Sequence, residues 1–132
     1  MSLIRGIHHI SMKCVTQEDY LRVLSFYRDT LGLRVVRQWD NGIMLDTGSG
    51  LLEIFRDGQS PLEKGVIRHF ALAADDVDEC ARRVTQAGYS VFLGPKDIVI
   101  PSEPPYRARI AFCHGPLGEE IEFFCPENDG LS

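Results

Sequence analysis

The chain has 132 residues, 44% of them hydrophobic, which fits one compact domain with a real core. Its net charge is −5 and its Lys and Arg residues never form a run, so it lacks the basic footprint of a nucleic-acid binder. No apolar stretch is long enough to span a bilayer, and Met1 is not followed by a basic region and an apolar segment. Neither a membrane span nor a signal peptide is expected, and a cytoplasmic place is.

Ile7 to Val15 alternates, with Ile10, Met12 and Cys14 on one side and His9, Ser11 and Lys13 on the other, the pattern of a half-buried strand. Thr16 reads as an N-cap with Glu18 and Asp19 in the first turn, and Tyr20, Leu24, Tyr27 and Leu31 make one helix face closed by Gly32. Strands follow at Leu33 to Trp39, Ile43 to Asp46 and Leu51 to Phe55, with a hairpin signal at Asn41-Gly42. The first half is therefore βαβββ over about residues 5–56. A polar segment with Gly and Pro, 57–65, reads as a linker.

Then the pattern restarts, over about 66–126. Val66 to Ala74 is the matching strand, and His69 stands 60 residues after His9 at the same place. Asp76 caps a helix whose apolar face is Val77, Cys80, Ala81, Val84 and Ala87, and Gly88 closes it. Tyr89 to Leu93 is a strand. Residues 94–105 hold four of the seven prolines and read as irregular, with a short strand at Ile98 to Ile100 and a candidate lid role. Arg107 to Cys113 and Glu120 to Cys125 are the last strands, and 127–132 is a polar tail. The fold class is α+β: one domain over 1–132, in which two βαβββ repeats form a curved, partly open barrel-like sheet with helices outside. The four cysteines include no CxxC pair, and Cys14 and Cys125 read as small buried hydrophobes.

Each repeat offers one histidine on its first strand and one glutamate on its last. His9 and His69 lie opposite to the apolar sets that should cover the helices, and Glu53 and Glu122 lie opposite to Leu52, Ile54, Ile121 and Phe123. All four should leave the sheet on the face away from the helices. Two imidazoles and two carboxylates suit one borderline divalent ion (Zn²⁺ or Ni²⁺ first, Co²⁺, Mn²⁺ or Fe²⁺ as others) with positions left for substrate. The parity of His8 places it with the core set. Glu120 shares the parity of Glu122 and is a candidate supporting group. Lys13, Arg107 and Arg109 are assigned to the concave face, taking Ile110 and Phe112 as core, and could hold an anionic group of a small-molecule substrate. Tyr106 and Trp39 are candidate pocket walls.

Several of these stretches resemble the vicinal oxygen chelate superfamily, which includes glyoxalase I, methylmalonyl-CoA epimerase, extradiol dioxygenases, fosfomycin-resistance enzymes and bleomycin-binding proteins. The matching pieces are Ile7-His8-His9-Ile10, Phe26 to Leu33, Leu52-Glu53-Ile54-Phe55, Arg68 to Leu72 and Gly115 to Phe123. The His-Glu-His-Glu order is most similar to glyoxalase I and its paralogues. The resemblance implies His9, Glu53, His69 and Glu122 as metal ligands. It also implies Glu122 or Glu53 as the catalytic base, with Glu122 favoured, and a homodimer. The implied activity is that of a lyase or isomerase working through a metal-bound enediolate on a small α-hydroxycarbonyl compound or hemithioacetal. Arg56-Asp57 stands where a glutathione-contacting Asn is usual, and Gly115-Pro116-Leu117-Gly118 replaces the usual DPDG turn, so glutathione use is left open. The alternatives are an Fe(II) dioxygenase of the same superfamily and a drug- or metabolite-binding protein without turnover.

Overall fold

A computed structural model of the chain describes residues 7–60 and 68–127. The chain divides into two compact units, Met1–Glu63 and Lys64–Ser132. The expected linker falls at the division, and most of it lies outside the described residues, as does most of the polar tail.

In the first unit, strand β1 (His9–Lys13) leads into helix α1 (Gln17–Leu24). The Thr16 side-chain oxygen accepts from the Asp19 N–H at 3.0 Å, satisfying one of the open donors at the helix start. After Leu24 the winding changes to a π-helical segment, Ser25–Thr30. Here the structure departs from the single helix expected through Leu31. The wider i→i+5 winding lets two adjacent rings, Phe26 and Tyr27, both be fully buried, edge to face at 4.8 Å. Strands β2 (Arg34–Trp39), β3 (Gly42–Asp46) and β4 (Leu51–Phe55) complete a sheet in the order β1-β4-β3-β2, with β1 parallel to β4. The hairpin turn sits at residues 40–41, and Gly42 opens β3. A Cβ at Gly42 would lie 2.6 Å from the Trp39 ring, so this glycine serves a close approach rather than the turn itself. Ile43, Leu45, Leu52 and Ile54 are fully buried with Val23, Phe26 and Tyr27, each such side chain stabilising the fold by roughly 1.5–3 kcal/mol.

The second unit repeats the order. Strand β5 (Phe70–Ala73) precedes helix α2 (Val77–Gln86), capped by the Asp76 carboxylate accepting from the Glu79 N–H at 3.0 Å. Strands β6 (Val91–Ile100), β7 (Tyr106–His114) and β8 (Glu120–Pro126) form a sheet in the order β5-β8-β7-β6, with β5 parallel to β8. Helix α2 packs on β6, β7 and β8, and Val77, Ala81 and Val84 are buried beneath it.

The fold is thus α+β, with two four-stranded mixed sheets and one helical segment per sheet, neither sheet closed into a barrel. One expectation fails on the way. Residues 94–100 belong to a continuous strand, not to an irregular lid. The ladder survives Pro95 because it slips register twice, between Val91 and Leu93 and between Leu93 and Lys96, with Gly94 at φ +78° in the second slip. Cys14 is fully buried as expected, while Cys125 is only half-buried. All four cysteines are free thiols.

Candidate functional site

Parallel pairing places Ser11 beside Glu53 and Ala71 beside Glu122. In each unit the histidine stands two residues before that partner on the edge strand, and its ring reaches diagonally to the carboxylate. His9 Nε2 is 3.5 Å from Glu53 Oε1, and His69 Nε2 is 3.2 Å from Glu122 Oε1. The two halves thus build the same pair from the same register. The side chains of the histidines are 40% and 38% exposed and those of the glutamates 14% and 11%, so each imidazole faces solvent and each carboxylate is held in the sheet. The carboxylates belong to β4 and β8, which have neighbours on both sides, while His9 opens the outer strand β1 and His69 immediately precedes the outer strand β5. Burial pushes the Glu122 carboxyl above its ordinary value, against the opposing pull and hydrogen bond of His69.

The His69–Glu122 pair has the spacing of two adjacent ligands, and His9–Glu53 lies just beyond it. With bonds of about 2.1 Å, neighbouring donor atoms lie roughly 3.0–3.4 Å apart at octahedral to tetrahedral angles. Imidazole nitrogen with carboxylate oxygen is also a donor set that divalent ions accept. Among the described residues no group of three or more His, Cys, Asp or Glu is gathered to hold a metal, and each unit holds one His–Glu pair.

His8 corrects an expectation. It is exposed rather than in the core, and its Nδ1 lies 3.0 Å from Nδ1 of His9, the rings edge to face. Either Nδ1 can donate to the other according to tautomer, while His9 Nε2 lies toward Glu53.

The expected substrate contacts divide. Lys13 shares the face of His9, with its ammonium 5.9 Å from the centre of the Phe55 ring. Trp39 meets the same ring edge-on at 5.8 Å. Tyr106 shares the face of Glu122, its ring 5.9 Å from that of Phe124. Arg109 and Arg107 do not belong there. Pairing sets Phe112 beside Glu122, and Ala111 and Cys113 beside Phe123 and Ile121, so the small residues face α2 and Phe112 and Ile110 face the other way. Arg109 accordingly donates to Asp78 on α2 from Nε at 2.7 Å and from Nη2 at 2.9 Å, and to Asp97 on β6 from Nη1 at 3.1 Å. Arg107 alternates onto the same face as Arg109.

A run of rings escaped sequence reasoning. His69 meets Phe112 edge-on at 5.0 Å, Phe112 lies 5.7 Å from Phe92, and Phe92 stacks on His114 at 4.4 Å. Beside it is an open hollow of about 320 Å³ lined by Arg68, His69, Phe92, Leu93, Phe112 and Glu120. Glu120 thus enters the site region as a wall.

Duplicated βαβββ units with a His–Glu pair in each define a class, and comparison with known proteins agrees. Residues 6–123 match the model of the Glyoxalase/Bleomycin resistance protein/Dioxygenase superfamily, and the chain belongs to that superfamily. TnmS3, an antibiotic binding protein from Streptomyces sp. CB03234, superposes with a TM-score of 0.70 at 21% identity, covering 96% of this chain and 100% of that one. A glyoxalase family protein from Enterococcus faecalis gives 0.68 at 21%, covering 93% and 99%. A glyoxalase/bleomycin resistance protein/dioxygenase from Alicyclobacillus acidocaldarius gives 0.65 at 18%, covering 94% and 93%. At these identities the likeness is one of fold. No curated protein matches the chain. Among the described residues no helix is long and apolar enough to cross a membrane.

Proposed function

We propose that the chain is a metal-dependent lyase or isomerase of the glyoxalase I kind, acting on a small α-hydroxycarbonyl compound or hemithioacetal. The observation that supports it is the repeated pair: an exposed imidazole and a largely covered carboxylate with ε atoms 3.5 and 3.2 Å apart, formed twice by the same register. His9, Glu53, His69 and Glu122 would be the ligands of one divalent ion, Zn²⁺ or Ni²⁺ first and Co²⁺, Mn²⁺ or Fe²⁺ as others. The ion, when bound, supplies a Lewis acid for negative charge developing on a substrate oxygen. Glu122 takes the proton from the carbon beside the carbonyl, leaving the electron pair to spread toward oxygen, and returns it to the neighbouring carbon. Its place on a central strand holds the carboxylate still while the substrate moves past it. Glu53 is the symmetric candidate for the same task. His9 and His69 would hold the ion beside both acids through their Nε2 atoms. A homodimer belongs to the same proposal, and sedimentation or light scattering measures it.

Metal analysis of the purified chain, followed by turnover of α-oxoaldehyde hemithioacetals made with glutathione and with other thiols, tests this reading. Glu122→Gln should keep much of the metal and lose turnover. Unchanged turnover removes Glu122 from the base role, and a chain that takes up no divalent ion removes the reading. A second reading, a small-molecule binding protein without turnover, is favoured by the ring-lined hollow and by the shared fold with an antibiotic binding protein. Tight ligand binding with no turnover at any metal would select it. Oxygen uptake with a catechol would select the dioxygenase alternative.

A further inference from the structure

We infer that the hollow beside His69 and Glu122 takes a small, flat aromatic compound with a single acid group, its ring on Phe92 and Phe112 and its acid group at Arg68. The inference rests on the functional reading above for the direction of the ligand's reacting end, and not for its binding.

The volume, about 320 Å³, is at the small end of ligand pockets and admits one or two rings. The wall is aromatic on successive strands. Phe112 on β7 and Phe92 on β6 lie 5.7 Å apart at 44°, and His114 backs Phe92 in a stacked arrangement at 4.4 Å. Phe92 nevertheless remains 45% exposed, although a ring of this size normally contributes to a core. A ring fixed by one stacked neighbour and open on a hollow presents a rigid π face, and flat partners gain from such a face beyond their buried area. The rings sit on paired strands, so they need little ordering when a ligand arrives.

The charge on the wall is also specific. Arg34, Arg82, Arg83 and Arg109 are each tied to carboxylates. Among the described residues no carboxylate pairs with Arg68, which borders the hollow. A planar carboxylate matches the fork of a guanidinium in two parallel hydrogen bonds. One acid group is assigned because Arg68 supplies one guanidinium; Glu120 also lines the hollow. His69 closes the row at the Phe112 edge. A ligand held by its ring and its acid group therefore presents its remaining end to the His69–Glu122 pair.

Calorimetry on the full chain, metal-free and Zn²⁺-loaded, with 2-naphthoate as probe, tests this. The fully saturated ring acid of the same skeleton should bind roughly three- to tenfold more weakly, and 2-naphthamide roughly tenfold more weakly. Phe92→Ala should erase the preference for the flat ring, and Arg68→Gln should erase the preference for acid over amide. Phe92→Leu keeps the apolar volume and removes only the π face, so it carries the test if the alanine variant does not fold. Equal binding of flat and saturated acids, or unchanged preferences in the variants, overturns the inference. So does exclusion of the probe by self-association of the chain over Phe92, seen as a concentration-dependent mass. Probe binding with these responses in a chain that takes up no Zn²⁺ would leave this inference standing and remove the metal reading. Zn²⁺ uptake without probe binding would do the reverse.

Discussion

Gly94 tests whether the broken register of β6 is a built feature. Its φ is +78°, and an added Cβ would lie 2.6 Å from the Ile110 carbonyl oxygen, 3.1 Å from the Lys96 nitrogen and 3.2 Å from the Ala111 Cα. All three neighbours are backbone atoms of paired strands, so none can turn aside. Gly94→Ala therefore meets two penalties. The left-handed backbone with a Cβ costs about 1–2 kcal/mol, and forcing an extra carbon into packed structure costs roughly 1–3 kcal/mol. The sum is about 2–5 kcal/mol, a large share of the stability of a small domain. Gly32 and Gly118 isolate the first penalty, since both have positive φ (+79° and +83°) and nothing within 4 Å of an added Cβ. Urea unfolding followed by circular dichroism should show Gly94→Ala losing at least twice as much as either control at an unchanged m-value. The same substitution should weaken 2-naphthoate binding, because the slip it disturbs begins at Leu93, which pairs with Phe112 and follows Phe92. Equal losses at all three glycines would refute the close approach of β6 and β7 at this point.

Two further outcomes follow from side-chain partners. His8→Ala should lower divalent-metal affinity by roughly tenfold through loss of the hydrogen-bond partner at His9 Nδ1, with His8→Gln retaining most of it; equal affinities in wild type and both variants would remove His8 from that role. Glu79 is held down to about 2 by its hydrogen bonds to Arg82 and Arg83. A carboxyl depressed in the folded state contributes stability that is present above its unfolded value and is lost as pH falls toward 2. Glu79→Gln should flatten the fall of the urea midpoint between about pH 4.5 and 2, and an unchanged slope would contradict the pairing.

How much was legible depended on which strands have one wet face. In β1, β4 and β5 more and less exposed positions alternate, so the parity of His9, Glu53 and His69 could be read from Ile10, Leu52 and Phe70 alone. Strand β7 gives no such signal. Ala108, Ile110, Ala111 and Cys113 are all buried, which occupies both faces, and bulk then misleads. Choosing Ile110 and Phe112 for the helix side placed Arg109 with the site, whereas the smaller Ala111 and Cys113 fit beneath α2. Strand β6 hid for another reason. Its Gly and Pro read as punctuation, yet two register slips carry the ladder past them, and with it the exposed Phe92. The π-helical segment was equally silent, because Tyr20, Leu24 and Tyr27 suit an α-helix until Phe26 must also be buried.

The division of labour within each pair leads to a last prediction. The carboxylate sits on a strand with neighbours on both sides, while the imidazole stands at an outer strand and reaches solvent. A nearly buried carboxylate is a poor contributor to stability unless its partner repays the lost hydration, and replacing such groups by apolar ones is often neutral or stabilising by about 1–4 kcal/mol. Because His69 is 38% exposed, it can lose Glu122 without becoming a stranded buried charge. Glu122→Leu should therefore leave the metal-free chain at least as resistant to urea as the wild type, while metal uptake at this pair falls away. His69→Leu should do the opposite to the fold, leaving a carboxylate at 11% exposure beside Phe112 with no counter-group. If Glu122→Leu lowers the unfolding free energy by more than about 1 kcal/mol, the carboxylate is a structural member of the sheet. Its burial would then say nothing about a site. Equal or greater stability, with metal lost, would mean the acid is kept there for what it binds.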